Sequence, residues 1–190
     1  MKPLTPNNPH AIIMLGIPGS GKSAFANRFA ETFQAPIINQ ALLMQTASLS
    51  ETAIVPVVDS FLTEILKTNR TFLFEGATTT KATRDALAKK LRAANYTPLF
   101  VWVQTESLES KRRALKPFPQ GSGLTESQFD AAVASFQAPV AAEQPVVVSG
   151  KHTYASQLKI VLKHLSLARP EARVAPARRR PQTSRDSMLR

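Results

Sequence analysis

Cysteine is missing from all 190 residues. No disulfide framework can form, and no thiolate is available as a nucleophile or a zinc ligand. Long apolar runs are missing too: none approaches the roughly 20 residues that a membrane helix needs. The first ten residues carry one lysine and three prolines and lead into only five apolar positions, 11–15. That is shorter than the apolar region of a secretory signal, so a cytoplasmic protein without a membrane partner is expected. Glycine is scarce, at seven residues, yet three of them stand close together at 16, 19 and 21. The hydrophobic share of 43% is enough for one well-buried core in a chain of this length, which argues for a single domain.

Acidic residues are few, 13 against 24 lysines and arginines, giving a net charge of +11. The excess is uneven. Over 168–190 seven arginines face only Glu171 and Asp186, a local +5, which leaves +6 for residues 1–167. A basic body suits anionic ligands, because the fields of many exposed cations sum over the surface, although it also serves plain solubility. The proline- and arginine-rich tail has little apolar content and reads as disordered, either inert or able to hold nucleic acid or another anionic surface.

The order of elements alternates between strand and helix, as in a parallel sheet covered on both faces. Short apolar or β-branched runs at 11–15, 36–39, 71–74, 97–103 and 145–148 read as strands. Helical spacing marks 24–33, a helix starting near Ser50 with Leu62, Ile65 and Leu66 inward, 80–95 with Ala82, Ala86, Leu87 and Leu91 on one face, and 106–115. Thr125 and Gln128 form a capping-box pattern ahead of a helix to 136, and 153–167 is the last helix. Trp102 falls in a strand and is expected in the core. Asp59 falls on the outer face of its helix and is expected to be solvated. The domain is expected over 11–167, with an N-terminal extension over 1–10, a lid region about 106–124 and a tail over 168–190. No internal repeat is present, and nothing in the sequence marks an oligomeric state.

The chemistry resides in Gly16-Ile17-Pro18-Gly19-Ser20-Gly21-Lys22-Ser23, which matches G-x-x-x-x-G-K-[ST] at every fixed position. Glycine lets the backbone N–H groups turn towards phosphate oxygens, and the helix that begins near Lys22 adds its positive dipole end. Lys22 suits the β- and γ-phosphates of a nucleoside triphosphate, and the Ser23 hydroxyl suits Mg²⁺. With Ala24, residues 16–24 are the expected nucleotide contact. By composition such a match arises in about one unrelated chain in a hundred, and here a strand precedes it and a helix follows. The bland alternative is a glycine-rich strand-to-helix turn that binds nothing.

With this motif, the acid-ended run Phe74-Glu75-Gly76-Ala77-Thr78, Arg84 in the next helix, Arg112-Arg113 and Phe136-Gln137-Ala138-Pro139, the chain resembles the small P-loop kinases of the polynucleotide-kinase and zeta-toxin type over roughly 11–165. The resemblance implies an α/β P-loop NTPase three-layer sandwich with a five-stranded parallel sheet in the order 2-3-1-4-5. It implies ATP and Mg²⁺ as cofactors, Ser23 and Glu75 at the metal, and Lys22, Glu75, Arg112 and Arg113 as catalytic residues, the arginines from a lid that also carries Lys116. It also brings the loop of Lys151 and His152 near the nucleotide base. The family carries an aspartate and an arginine after its second strand, on the acceptor side. Aligned on Ile38-Asn39-Gln40, those positions are Ala41 and Met44. The expected function is therefore an ATP-dependent kinase of unknown acceptor. The alternative is an ATP-binding module or slow ATPase without phosphoryl transfer, associated with nucleic acid where the tail binds it.

A truncation tests the tail. Removing 168–190 should leave thermal stability and nucleotide affinity unchanged, since a disordered terminus makes few packed contacts. If the tail holds nucleic acid, truncation should also flatten the salt dependence of that binding. An unchanged salt slope would assign the binding to the body.

Overall fold

The computed structural model describes residues 9–117 and 121–167. The tail, nearly all of the N-terminal extension and the centre of the lid loop lie outside the described residues.

Side chains alternate along a strand, and that alternation decides where the core lies. In β1 (His10–Leu15) every residue is buried; Ala11, Ile13 and Leu15 join one cluster, Ile12 and Met14 another. Around it lie β2 (Ile37–Asn39), β3 (Phe72–Glu75), β4 (Thr97–Gln104) and β5 (Val146–Ser149), in one sheet of order β2-β3-β1-β4-β5. All pairings are parallel, with Ile12 beside Leu73 and Leu99, Asn39 beside Glu75 and Trp102 beside Val147. The expected order holds.

Helices cover both faces. One is closed by α3 (Ile54–Lys67) and α4 (Lys81–Ala93), through Ile54, Val58, Leu62, Ala88 and Leu91. The other is closed by α1 (Lys22–Phe33) and α7 (Tyr154–Leu167). Phe25, Phe29 and Phe33 form a stripe on α1 at four-residue spacing, with ring centroids 5.9 and 4.6 Å apart. The remaining helices are α2 (Gln40–Ala47), α5 (Ser107–Ala114) and α6 (Glu126–Ser135), followed by a short 3-10 turn over Ala141–Glu143. The capping box of Thr125 and Gln128 at the start of α6 is present. No helix among the described residues is long and apolar enough to cross a membrane.

Four expectations need correction. Helix α2 was not foreseen. Helix α3 begins at Ile54: the carbonyl and hydroxyl of Ser50 accept from Ile54 and Ala53 N–H, so Ser50 makes the turn before it. Pro56 then lies in the first helical turn, where its missing N–H costs little. Helix α4 is rotated relative to the reading above: Ala82 and Ala86 are exposed, while Arg84, Ala88 and Leu91 are buried. Trp102 is only partly buried, since its neighbour in the edge strand, Val147, is 45% exposed. Asp59 is largely exposed as expected and pairs with Lys90.

The rotation of α4 follows from Arg84, whose side chain has no exposure. Its Nε and Nη2 donate to the two Glu143 oxygens at 2.6 and 3.0 Å. Its Nη1 donates to the carbonyls of Thr78 and Gln137 at 3.1 and 2.8 Å. A buried guanidinium is tolerated only when its donors are met in this way.

Arg84→Met would leave the Glu143 charge buried and unpaired, and should cost about 3–5 kcal/mol. For a domain of this size that is on the order of 10 °C in Tm. Arg84 holds the Glu143 carboxyl below its ordinary value of 4.5. A lowered folded pKa gives stability that is complete above the unfolded carboxyl's titration and lost as pH falls through the folded value. Acid should therefore destabilise the wild type below about pH 4.5 more steeply than Glu143→Gln. Equal acid slopes in thermal melts would remove Glu143 as the source.

Candidate nucleotide-binding site

The glycine loop runs from the end of β1 to the start of α1. Gly16, Gly19 and Gly21 all have positive φ, at 139°, 72° and 107°. Gly19 is required twice over, because a Cβ there would also lie 2.1 Å from the Ser110 carbonyl oxygen in α5. Helix α5 is thus seated directly on the loop.

Beneath the loop, Lys22 Nζ donates to the carbonyls of Gly16 and Ile17, both at 2.9 Å. Burial pushes the Lys22 ammonium below its ordinary value, and the nearby Glu75 charge opposes that shift. Ser23 Oγ donates to Glu75 Oε1 at 2.8 Å, and Asn39 Nδ2 donates to Oε2 at 3.2 Å. Three adjacent strands supply this row: β1 through its loop, β3 through Glu75 and β2 through Asn39.

The loops after β4 and β5 close the other side. Thr105 Oγ1 donates to the Ser20 carbonyl at 2.8 Å. At Gly150 a Cβ would stand 2.0 Å from that same oxygen and 2.2 Å from Thr105 Oγ1. The expected loop 149–152 therefore reaches the glycine loop through its backbone. Lys151 instead pairs with Glu106 at 2.9 Å, and His152 is exposed.

The two lid arginines converge on Glu109. Arg112 binds it through Nε and Nη2, both at 2.9 Å; Arg113 binds it through Nε at 2.7 Å. These bonds hold the Glu109 carboxyl down at about 2. Arg113 also donates to the Gly150 carbonyl at 3.2 Å, which brings it to the glycine loop, whereas the Arg112 side chain is 63% exposed. A cleft of about 830 Å³ opens beside them, lined by Glu106, Leu108, Glu109, Lys111, Arg112 and Lys151 among others. Glu126 and Asp130 hold Lys111 at 3.1 and 3.3 Å.

Sequence reasoning missed Asn39 and Glu109. Glu109 was findable, three and four positions before the two arginines on one helix. Asn39 required the β2–β3 register. Arg84, grouped with the motif residues above, lies in the core and pairs with Glu143. Among the described residues no cluster of three or more His, Cys, Asp or Glu could hold a metal. Ser23 and Glu75, in contact with each other, suit a hard divalent ion.

A protein-family model described as an AAA domain matches residues 12–139, from the third residue of β1 to just beyond α6. The chain belongs to this AAA-domain family of P-loop proteins. Its fold is also that of solved kinases. A gluconokinase from Sinorhizobium meliloti 1021 aligns at a TM-score of 0.61 and 17% identity, over 85% of this chain and 94% of that one. The Mycobacterium tuberculosis APS kinase, solved with AMPPNP and APS, aligns at 0.62 and 16%, over 84% and 98%. A sugar kinase from Janibacter sp. HTCC2649 aligns at 0.59 and 15%, over 85% and 96%. At these identities the likeness is one of fold. A comparison with curated protein sequences finds no match.

The crowding at Gly150 supplies a test of this P-loop arrangement. Gly150→Ala must displace either Ser20 or the β5 loop, a steric cost of roughly 1–3 kcal/mol. It should weaken ATP binding by about tenfold or more, because phosphate donors act only in register, while far-ultraviolet circular dichroism stays unchanged. Unaltered affinity in calorimetry would mean that the β5 loop does not set the P-loop geometry.

Proposed function

We propose that the protein is an ATP-dependent phosphotransferase. The observation that carries this reading is the contact of Ser23 with Glu75, 2.8 Å apart at the mouth of the glycine loop, with the partly buried Lys22 ammonium beneath. A hydroxyl, a carboxylate and a cation so grouped match what a nucleoside triphosphate with Mg²⁺ requires. The N–H groups of residues 16–24 and the start of α1 would hold the phosphates, with Lys22 leaving the Gly16 and Ile17 carbonyls for phosphate oxygens. Ser23 and Glu75 would hold the Mg²⁺, which when bound neutralises charge on the phosphate oxygens.

The acceptor oxygen then bonds to the γ-phosphorus as the bond to the β–γ bridging oxygen breaks, and ADP leaves with that electron pair. The hydroxyl proton passes to water, with Glu75 orienting the acceptor rather than taking its proton. Arg113, and Arg112 once released from Glu109, would bring positive charge to the transferring group, as arginine fingers do. The related folds carry names of kinases of small molecules, namely gluconokinase, APS kinase and sugar kinase, which favours a small hydroxyl compound as acceptor. Contact of the basic tail with nucleic acid is a separate proposal.

A second reading is favoured by α2, where Ala41 is exposed and Met44 packs partly against the core. Neither can take a proton. On this reading the protein binds ATP to order its lid, or hydrolyses it slowly, without transfer. Loss of a general base costs roughly 10²–10⁴-fold, which slows transfer without forbidding it.

ATP with Mg²⁺ should raise the Tm, by an amount equivalent to about 2.7 kcal/mol at 100 times the dissociation constant. Lys22→Ala should abolish most of this shift. Glu75→Gln should bind ATP within a few-fold of wild type yet turn over at least about tenfold more slowly. No shift with any nucleoside triphosphate in folded protein would end both readings; binding without transfer would leave only the second.

A further inference from the structure

Around the glycine loop the described cations lie on one side. They are Lys22 on α1, Arg112 and Arg113 on α5, and Lys151 after β5. On the opposite side, beyond Glu75, lie the end of β2, helix α2 and the loop from β3 to α4. From Thr32 to Ser50 the chain has no Asp, Glu, Lys, Arg or His, and the next charge is Glu51. The loop 76–80 reads Gly-Ala-Thr-Thr-Thr and is equally uncharged. Arg84, on the helix that follows, is fully buried and engaged with Glu143 and three backbone carbonyls. Lys81 pairs with Asp85.

Backbone donors are also engaged there. A helix N-terminus attracts anions through its free N–H groups. At α2 the Asn39 side chain accepts from Leu42 N–H at 3.0 Å. At α4 Thr80 and Thr83 cap each other, and Lys81 N–H donates to the Gln137 side chain at 2.9 Å. The other groups at this edge are the Gln40 amide, the Asn39 amide with one bond each to Glu75 and Leu42, the threonines of 78–80 and the aliphatic side chains of α2. Gln40 Oε1 reaches the loop itself, 3.0 Å from where a Gly76 Cβ would stand. Among the described residues the one formal charge at this edge is the carboxylate of Glu75, which the proposed Mg²⁺ would occupy.

We infer that the acceptor is an electrically neutral hydroxyl compound, recognised by amide and hydroxyl hydrogen bonds and by packing on α2. An acceptor bearing its own phosphate or carboxylate would desolvate that charge with no side-chain cation among the described residues of this edge to receive it. This inference rests on the phosphotransferase reading. Anion recognition is confined to the nucleotide half, so ATP affinity should fall with salt while the acceptor KM should not.

The test uses matched acceptors, adenosine with adenosine 5′-monophosphate and glucose with glucose 6-phosphate, on the full chain with ATP and Mg²⁺. Transfer to a neutral member should exceed transfer to its phosphorylated partner by at least about tenfold in kcat/KM. Equal or faster transfer to the phosphorylated member would overturn the inference and leave the phosphotransferase reading standing. Transfer to neither class would count against that reading, and a binding measurement then decides the electrostatics. Inorganic phosphate is titrated onto protein loaded with AMPPNP and Mg²⁺, followed by phosphorus NMR line broadening. The wild type should show no saturation below about 10 mM, a level equivalent to very weak binding. Ala41→Arg or Met44→Arg should create saturable binding; two variants are used because Met44 contributes to packing. Saturable phosphate binding by the wild type that survives Arg112→Ala and Arg113→Ala but is lost in Gln40→Glu would overturn the inference.

Discussion

The buried guanidinium of Arg84 is the constraint on which much of the rest depends. It has no exposure, and each of its three nitrogens meets an oxygen, from Glu143, Thr78, Thr79 or Gln137. Two segments far apart in sequence are thereby joined: the loop that follows Glu75 and the stretch that leads from α6 to β5. Further bonds follow the same seam. Gln137 N–H donates to the Thr79 carbonyl, and Val140 N–H donates to Glu143. On the sheet side, the Thr78 hydroxyl donates to the Met14 carbonyl in β1. The loop after β3 is therefore gripped from both directions, and Glu75 is delivered to Ser23 by an anchored strand end. A charge is an expensive anchor in a core, but a hydrocarbon could not satisfy three carbonyls at once.

A second convergence sits at Ser20, where the loops after β1, β4 and β5 meet through backbone atoms. Thr105 and Gly150 reach the same carbonyl, and α5 rests on Gly19. Such contacts leave no room for a methyl group, so the nucleotide half of the cleft is built from backbone geometry. The arginines above it are held differently. Glu109 gathers both of them in a shared ion pair at the surface, where solvent screens the attraction and a triphosphate can compete for the same donors. Rigid donors below and exchangeable cations above suit a site whose floor is preformed and whose cover responds to the ligand.

Much of this was legible in the sequence, and the exceptions share a cause. The five strands, the sheet order implied by the P-loop kinase resemblance, and the capping box at Thr125 depend on local pattern or on a specific motif. Helix α2 has no fully buried residue, so its sequence carries no periodic stripe to read. Helix α4 was assigned its inward face from Ala82 and Ala86 because hydropathy puts arginine outside; Glu143, 59 residues away, reverses that. Asn39 stands opposite Glu75 only through strand register. These three are long-range polar contacts or a helix without a core face, which leave no trace in periodicity, whereas Glu109, local to its helix, was legible.

The charge pattern of the cleft also bears on how catalysis could be shared out. Phosphoryl transfer spreads negative charge over the equatorial oxygens and the leaving group, both of which the proposed reading would put over the glycine loop and α5. Stabilisation by preorganised donors is worth most on that side, and there the chain concentrates Lys22, Arg112 and Arg113. The attacking hydroxyl carries little charge until late in a loose transition state, so its partner needs to be positioned more than polarised. Amides at Asn39 and Gln40, fixed by the end of β2 and the capped start of α2, can orient a hydroxyl without contributing charge. The loss of an acidic residue at Ala41 is then compatible with transfer, because Glu75, tied by Ser23 on one oxygen and Asn39 on the other, is the carboxylate that remains between the two halves.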